Sequence, residues 1–164
     1  MILVLMGVCG CGKTTVGEAL AAALGWPFFD ADDFHPPANV AKMASGHPLD
    51  DADRWPWLDR IADEMRHILA RSGHAVLACS ALKEAYRVRL KRAGDVRIVY
   101  LKGDEATIAA RLAARQHKYM PASLLASQFA ALEEPTDALV VDIRAPIADQ
   151  VEFIRGAFAL RAAS

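Results

Sequence analysis

The stretch GVCGCGKTT, residues 7–15, directly follows six apolar residues, MILVLM. Its spacing is Gly7-x-x-x-x-Gly12-Lys13-Thr14, the pattern of a phosphate-binding loop, and it lies between a predicted strand and a predicted helix, as that loop requires. Glycines allow backbone N–H groups to surround an anion, and the N-terminus of the next helix adds positive potential. A glycine-rich turn without a ligand is the alternative, but such a turn does not need Lys-Thr. The stretch therefore predicts nucleotide binding.

The expected cofactors are ATP and Mg²⁺. Lys13 would reach the β- and γ-phosphates, and the Thr14 hydroxyl would be a ligand of Mg²⁺. The predicted nucleotide-binding residues of the loop are Gly7, Val8, Cys9, Gly10, Cys11, Gly12, Lys13, Thr14 and Thr15. Because Cys9 and Cys11 lie near a helix N-terminus and a lysine, we expect the pKa of both thiols to be lowered.

The composition predicts one domain, residues 1–164, with 54% hydrophobic residues to form its core. A formal net charge of -1 argues against nucleic acid as a partner. Three cysteines without metal-site or disulfide spacing predict a reduced, cytoplasmic setting. No apolar run approaches the ~20 residues that span a bilayer, so we expect no membrane association.

Short β-type runs alternate with helical patterns, which is typical of βαβ units. The predicted strands are residues 2–6, 27–30, 75–80, 96–101 and 138–142. The predicted helices are residues 13–24, 52–71, 83–93, 104–115, 122–132 and 147–161. We therefore expect an α/β fold with a five-stranded parallel sheet and helices on both faces. Long connections at 31–51 and 116–137 are candidate walls of a substrate site.

An acidic pair, Asp30 and Asp32, ends the second predicted strand. On an extended chain both carboxylates point to one side, and they would face the triphosphate if this strand neighboured the first. One carboxylate could then hold water on Mg²⁺ and the other could take the proton of an attacking hydroxyl. A solvated acidic turn is the alternative.

Two arginines, Arg111 and Arg115, lie four residues apart and so share one face of a predicted helix beside the second long loop. Paired arginines there suit the clamping of phosphate charge during transfer. Ordinary surface arginines are the alternative.

Candidate acceptor-binding groups follow the third strand and open the long helix. Ser80 and Lys83 would lie beside the phosphate loop. Arg54 stands next to Trp55 and Trp57, and a planar guanidinium near aromatic walls is a suitable receptor for a carboxylate. Simple packing is the alternative for at least one tryptophan.

A phosphate loop alone allows a GTPase, a mechanical ATPase or a small-molecule kinase. The guanine-binding tetrapeptide Asn-Lys-x-Asp does not occur in the sequence. The acidic pair, the arginines and the candidate acceptor groups together favour a kinase.

Five stretches, in this order and spacing, closely resemble the gluconokinase family over nearly the whole chain. They are GVCGCGKTTVG, DADDFHPPANVAKMASGHPLDDADRWPWL, CSALKEAYR, YLKGD and YMPASLLASQFAALEEP. The second stretch is the specific one, because many families share a phosphate loop. The resemblance implies a nucleoside-monophosphate-kinase-like P-loop kinase fold and ATP-dependent phosphorylation of D-gluconate at its 6-hydroxyl. It also implies a homodimer and a mobile lid at residues 116–137.

The resemblance also implies residue roles. Thr14 and Asp30 would manage Mg²⁺, Lys13 and Arg111 would spread transition-state charge, and Asp32 would orient or deprotonate the acceptor. The implied gluconate-binding residues are Asp32, His35, Lys42, Arg54, Ser80 and Lys83.

The chain departs from the family pattern at two places. Cysteines stand at 9 and 11 where the family commonly has serine, and the lid reads His117-Lys118-Tyr119 where Gly-His-aromatic is common. The role of the family's lid histidine is therefore open in this chain.

Two rivals remain. A shikimate-type kinase also uses an Asp-x-Asp pair, but it would have a glycine triplet after the third strand, where this chain reads ACSALK. A nucleotide-binding regulatory protein without turnover is the non-enzymatic rival. Retention of Lys13, Thr14 and both carboxylates argues against it.

Overall fold

A computed structural model describes residues 1–114 and 122–161. Arg115 and the lid residues up to 121 lie outside the described residues. The strands are β1 Ile2–Met6, β2 Phe28–Asp30, β3 Ala75–Ala78, β4 Val96–Lys102 and β5 Leu139–Asp142. The helices are α1 Lys13–Leu24, α2 Pro37–Ala44, α3 Asp51–Ala70, α4 Glu84–Lys91, α5 Glu105–Ala114, α6 Ala122–Ala131 and α7 Ile147–Ala157.

The five strands form one parallel sheet in the order β2-β3-β1-β4-β5. β1 is central, and all five of its residues are buried because helices cover both faces. Ile2 pairs with Ala75 on one side and with Val96 on the other. The carboxyl end of β1 therefore delivers the phosphate loop to the middle of the sheet edge, where α/β proteins bind ligands.

Apolar layers lie on both sides of the sheet. One layer includes Leu58 of α3 and Leu90 of α4. The other includes Leu20 of α1, Ile108 of α5 and Ile154 of α7. The predicted three-layer α/β fold is therefore confirmed.

The segment 31–51, predicted as a loop, contains a 3-10 turn at Ala31–Phe34 and the helix α2. Pro37 stands at the first position of α2, where its fixed φ and missing N–H favour a helix start. Asp50 then caps α3 in a capping box with Asp53. The segment 31–51 is therefore largely helical and not an irregular loop.

Other boundaries shift slightly. β3 ends at Ala78 and not at residue 80, and α7 ends at Ala157 and not at residue 161. The bounds predicted for α1 are confirmed, and Gly25 ends it in the left-handed conformation. Among the described helices, none combines the length and apolarity of a membrane span.

Candidate active site

The phosphate loop packs closely against α5 at Gly10. Gly10 has φ +85°, and a Cβ there would lie 2.9 Å from the Leu112 side chain, so this position requires glycine. Lys13 Nζ donates to the carbonyl oxygens of Gly7 at 3.0 Å and Val8 at 3.1 Å. The Lys13 ammonium is therefore held by two carbonyl groups of its own loop.

Several backbone N–H groups at and just before the start of α1 have no hydrogen-bond acceptor among the described residues. Within residues 1–114 and 122–161 no protein acceptor meets these amides, and Gly12 provides no side-chain cap. The donors are the N–H groups of Gly10, Gly12, Lys13, Thr14 and Thr15. Unpaired N–H groups at a helix N-terminus form a binding site for phosphate.

Thr14 and Asp30 meet beside these donors, with the Thr14 hydroxyl 3.5 Å from Asp30 Oδ2. A hydroxyl and a carboxylate are the hard oxygen ligands that Mg²⁺ prefers, with phosphate and water completing its shell. Among the described residues, no cluster of three or more His, Cys, Asp or Glu side chains could hold a metal by itself. The pair therefore fits Mg²⁺ brought with a nucleotide.

The condition that β2 neighbours β1 is not met, because β3 lies between them. Asp32 is not on extended chain either. It lies in the 3-10 turn, and its N–H donates to Asp30 Oδ1 at 3.0 Å. The turn, and not strand alternation, keeps the two carboxylates together.

The Asp32 side chain is 86% exposed, yet the surrounding protein partly desolvates its carboxylate. Partial desolvation, followed by the negative charge of Asp30, raises the pKa of Asp32. A raised pKa makes a carboxylate a stronger proton acceptor.

The His35 side chain is enclosed, with only 7% of it exposed, in contrast to the exposed Asp32 side chain. Its ring stacks on Trp57 at 4.4 Å between centroids, and Nε2 lies 3.8 Å from Asp32 Oδ1. Desolvation lowers the pKa of His35, against the opposing charge of Asp32. A neutral imidazole beside Asp32 can exchange hydrogen bonds with a hydroxyl group.

Two predicted substrate lysines are paired with acids of α3 or its cap. Lys42 Nζ lies 2.5 Å from Asp53 Oδ2 and 3.5 Å from Asp50 Oδ2. Lys83 Nζ contacts both oxygens of Asp51 at 2.9 and 3.0 Å. Their positive charges are thus largely compensated by the protein.

Arg54 differs from both lysines. In the described part of the chain it forms no ion pair, and its guanidinium lies 5.8 Å from the centroid of the Tyr86 ring. Trp57 is a packing residue, since it is buried and its Nε1–H donates to the Ala31 carbonyl at 2.7 Å. Trp55 packs edge-on against Tyr86.

Ser80 lies beside the phosphate loop, as predicted, because its carbonyl accepts from Gly7 N–H at 3.3 Å. The next residue, Ala81, has φ +41°, a strained value for a residue with a Cβ. Arg87, whose side chain is 1% exposed, stabilises this turn by donating to the carbonyls of Ala81 at 2.9 Å and Leu82 at 3.0 Å.

Arg111 lies on α5, and its Nη2 donates to the Ile143 carbonyl at 2.5 Å, in the turn after β5. The paired role of Arg111 and Arg115 stays a prediction, because Arg115 is outside the described residues.

The expectation of a lowered pKa is wrong for Cys11. Burial raises the pKa of Cys11, whose side chain faces Gly7, and raises that of Cys79 to about 12. Cys9 is only partly buried, so it is the accessible thiol of the loop.

Sequence reasoning missed three residues of the site, which are Asp51, Tyr86 and Gln128. Asp51 is not among the predicted site residues, yet it accepts hydrogen bonds from Lys83 and from the Tyr86 hydroxyl. Gln128 of α6 reaches the loop at Cys9. No local signal in the sequence indicates these contacts, since they join residues distant along the chain.

The sheet order, the phosphate loop and the acidic pair together define a P-loop kinase of small molecules. The family model described as Shikimate kinase matches residues 9–150, so the chain belongs to that family in its broad sense.

Within that class, curated relatives are more specific. The gluconokinase of Gluconobacter oxydans is 52% identical, covering 82% of this chain and 76% of the relative. The thermosensitive gluconokinase of Escherichia coli is 42% identical, covering 94% and 85%. A crystal structure of a gluconokinase from Sinorhizobium meliloti is 41% identical, with a TM-score of 0.85, covering 96% of this chain and 90% of that one. The chain belongs to the gluconokinase family, which confirms the predicted kinase class.

Proposed function

We propose that this site transfers the γ-phosphate of ATP to the 6-hydroxyl of D-gluconate, giving ADP and 6-phosphogluconate. One arrangement of the described residues carries the proposal. Backbone amides at the start of α1 meet no protein acceptor there, Asp32 lies close enough to Lys13 to feel its charge, and Arg54 forms no ion pair there.

The nucleotide half rests on the phosphate loop. The free amides would bind the phosphate oxygens, and Lys13 would leave its loop carbonyls to reach the β- and γ-phosphates. Arg111 would supply further positive charge after releasing the Ile143 carbonyl. Both cations would stabilise the charge that spreads over the transferred group.

Thr14 and Asp30 would hold Mg²⁺ through the hydroxyl and carboxylate that already meet. The bound ion would neutralise phosphate charge and orient the triphosphate.

The acceptor half rests on Asp32 and Arg54. Asp32 would accept the proton of the 6-hydroxyl as its oxygen attacks the γ-phosphorus in line, and His35 would hold Asp32 and the hydroxyl in place. Arg54 would bind the carboxylate of gluconate at the far end. Ser80, Lys42 and Lys83 would contact the sugar hydroxyls from the pocket walls.

Acceptor-dependent ADP formation tests the proposal. The purified protein is mixed with Mg-ATP and, separately, with gluconate, other sugar acids, shikimate or no acceptor. We expect gluconate to give the highest kcat/KM. Equal ADP release with and without every acceptor would contradict a kinase, and preference for shikimate would select the rival acceptor.

We also propose a cytoplasmic homodimer of single-domain chains, each with a lid at 116–137. The support is the family resemblance and three free cysteines in the described residues. Light scattering measures the mass in solution, and a monomer at working concentration would contradict the dimer.

A further inference from the structure

Helix α6 contacts the phosphate loop through one side chain. Gln128 Oε1 accepts a hydrogen bond from the backbone N–H of Cys9 at 2.6 Å, joining two segments that are far apart along the chain. Gln128 is partly buried, and Leu125 on the same helix is buried in the core. The contact is therefore made by a helix that also packs against the core through Leu125.

The Cys9 amide is one of three loop donors that the described residues already pair. Gly7 N–H donates to the Ser80 carbonyl and Cys11 N–H donates to the Val8 carbonyl, both at 3.3 Å. The amides from Gly12 to Thr15 meet no protein acceptor in the described residues. Gln128 thus pairs a loop amide that is not among the free donors, and those donors stay available for phosphate.

The chain directly after α6 forms hydrogen bonds with the loop that carries Lys83. Glu133 N–H donates to the Leu82 carbonyl at 2.9 Å, and Glu84 N–H donates to Glu133 Oε2 at 2.6 Å. Leu82 and Glu84 flank Lys83 of the acceptor pocket. The segment from Gln128 to Glu133 therefore connects the nucleotide loop with the acceptor loop.

We propose that Gln128 is a positioning residue for the nucleotide: it holds the phosphate loop, through the Cys9 amide, in the conformation that binds ATP, without touching ATP. An amide that loses its acceptor allows the loop to rearrange, and binding must then reverse that rearrangement. The inference rests on the nucleotide half of the proposed function alone.

The test compares Gln128→Met, which has similar length but no strong acceptor, with Ser127→Ala. Ser127 is the matched control because its hydroxyl donates only within α6, to the Leu124 carbonyl at 2.8 Å. Calorimetry measures the Kd of a non-hydrolysable ATP analogue with Mg²⁺. Loss of one hydrogen bond should weaken binding about 3- to 10-fold in Gln128→Met and less than about twofold in the control. KM for gluconate should stay within about twofold.

Amide hydrogen exchange of the wild-type protein is the second measurement. Cys9 N–H should exchange more slowly than the free amides of Gly10 and Gly12, and Gln128→Met should remove this difference. An unprotected Cys9 amide would overturn the inference, as would an unchanged Kd or a weaker Kd accompanied by a lower Tm and a higher gluconate KM. A protein that binds the analogue as expected but does not phosphorylate gluconate would contradict the proposed acceptor and leave Gln128's role intact.

Discussion

Replacing Arg54 by glutamine should weaken recognition of gluconate through its negative charge. Lys42 and Lys83 are already paired with carboxylates, whereas Arg54 forms no ion pair in the described part of the chain. A fixed carboxylate distinguishes gluconate from a neutral polyol, and a guanidinium can bind it with two parallel hydrogen bonds.

The magnitude follows from the partial burial of Arg54. A hydrogen bond to a charged group contributes about 1.5–3 kcal/mol, and partial exposure keeps the bidentate pair near about 2–3 kcal/mol in total. This corresponds to a rise of ~30- to 150-fold in KM for gluconate. Arg54→Lys should lie between, because an ammonium keeps the charge but not the paired geometry.

Coupled ADP-release kinetics with gluconate and neutral gluconamide provide the assay. The wild-type protein should prefer gluconate, and Arg54→Gln should lose that preference while KM for ATP changes less than about twofold. Arg60→Gln, an exposed position on the same helix α3, is the matched control. Equal losses for gluconate and gluconamide would refute carboxylate binding, and a parallel rise in KM for ATP would place Arg54 on the phosphates.

Three further predictions concern the base, the loop thiol and the turn after β3. Asp32→Asn should lower kcat ~10²- to 10⁴-fold. Because the pKa of Asp32 is raised, kcat of the wild-type protein should begin to fall at a higher pH than it would with an ordinary aspartate. If kcat of the variant still falls at acidic pH in the same way, Asp32 is not the group that titrates. Alkylation of Cys9 should inactivate the protein, and bound ATP should slow this inactivation. The Cys9→Ser variant should resist the alkylating reagent. Inactivation of that variant at the wild-type rate would show that Cys9 is not the target. Arg87→Met should lower the free energy of unfolding by about 1–3 kcal/mol in urea titrations, because it leaves the buried Ala81 carbonyl without its donor, whereas the Leu82 carbonyl keeps the N–H of Glu133. Arg66→Met, on an exposed ion pair, should change it far less, and equal effects would contradict this reasoning.

Local sequence patterns predicted much of the fold. The phosphate loop fixed the end of β1 and the start of α1, since glycine spacing and helix initiation are encoded within a few residues. Helix α2 was missed because its eight residues are too few for a clear periodic pattern, although Pro37 was a usable signal.

The site was predicted less completely than the fold. Residue types and spacing indicated a hydroxyl at Thr14 and a carboxylate of the acidic pair for Mg²⁺, and Thr14 and Asp30 lie close together in the structure. The pairing of Lys83 with Asp51 and the burial of Cys11 depend on which elements become neighbours, and local patterns do not encode that. The strand order, with β3 between β1 and β2, is a global property of the same kind.

The central position of β1 also has a consequence for folding kinetics. β1 pairs with β3 and β4, which follow it by about 70 and 90 residues, so its pairing requires the closure of long chain loops. Until both partners arrive, ILVLM is an exposed apolar segment of high β-propensity and a potential aggregation site. The ability to bind ATP should therefore appear late in refolding, because the phosphate loop cannot be held in place before its strand is flanked on both sides.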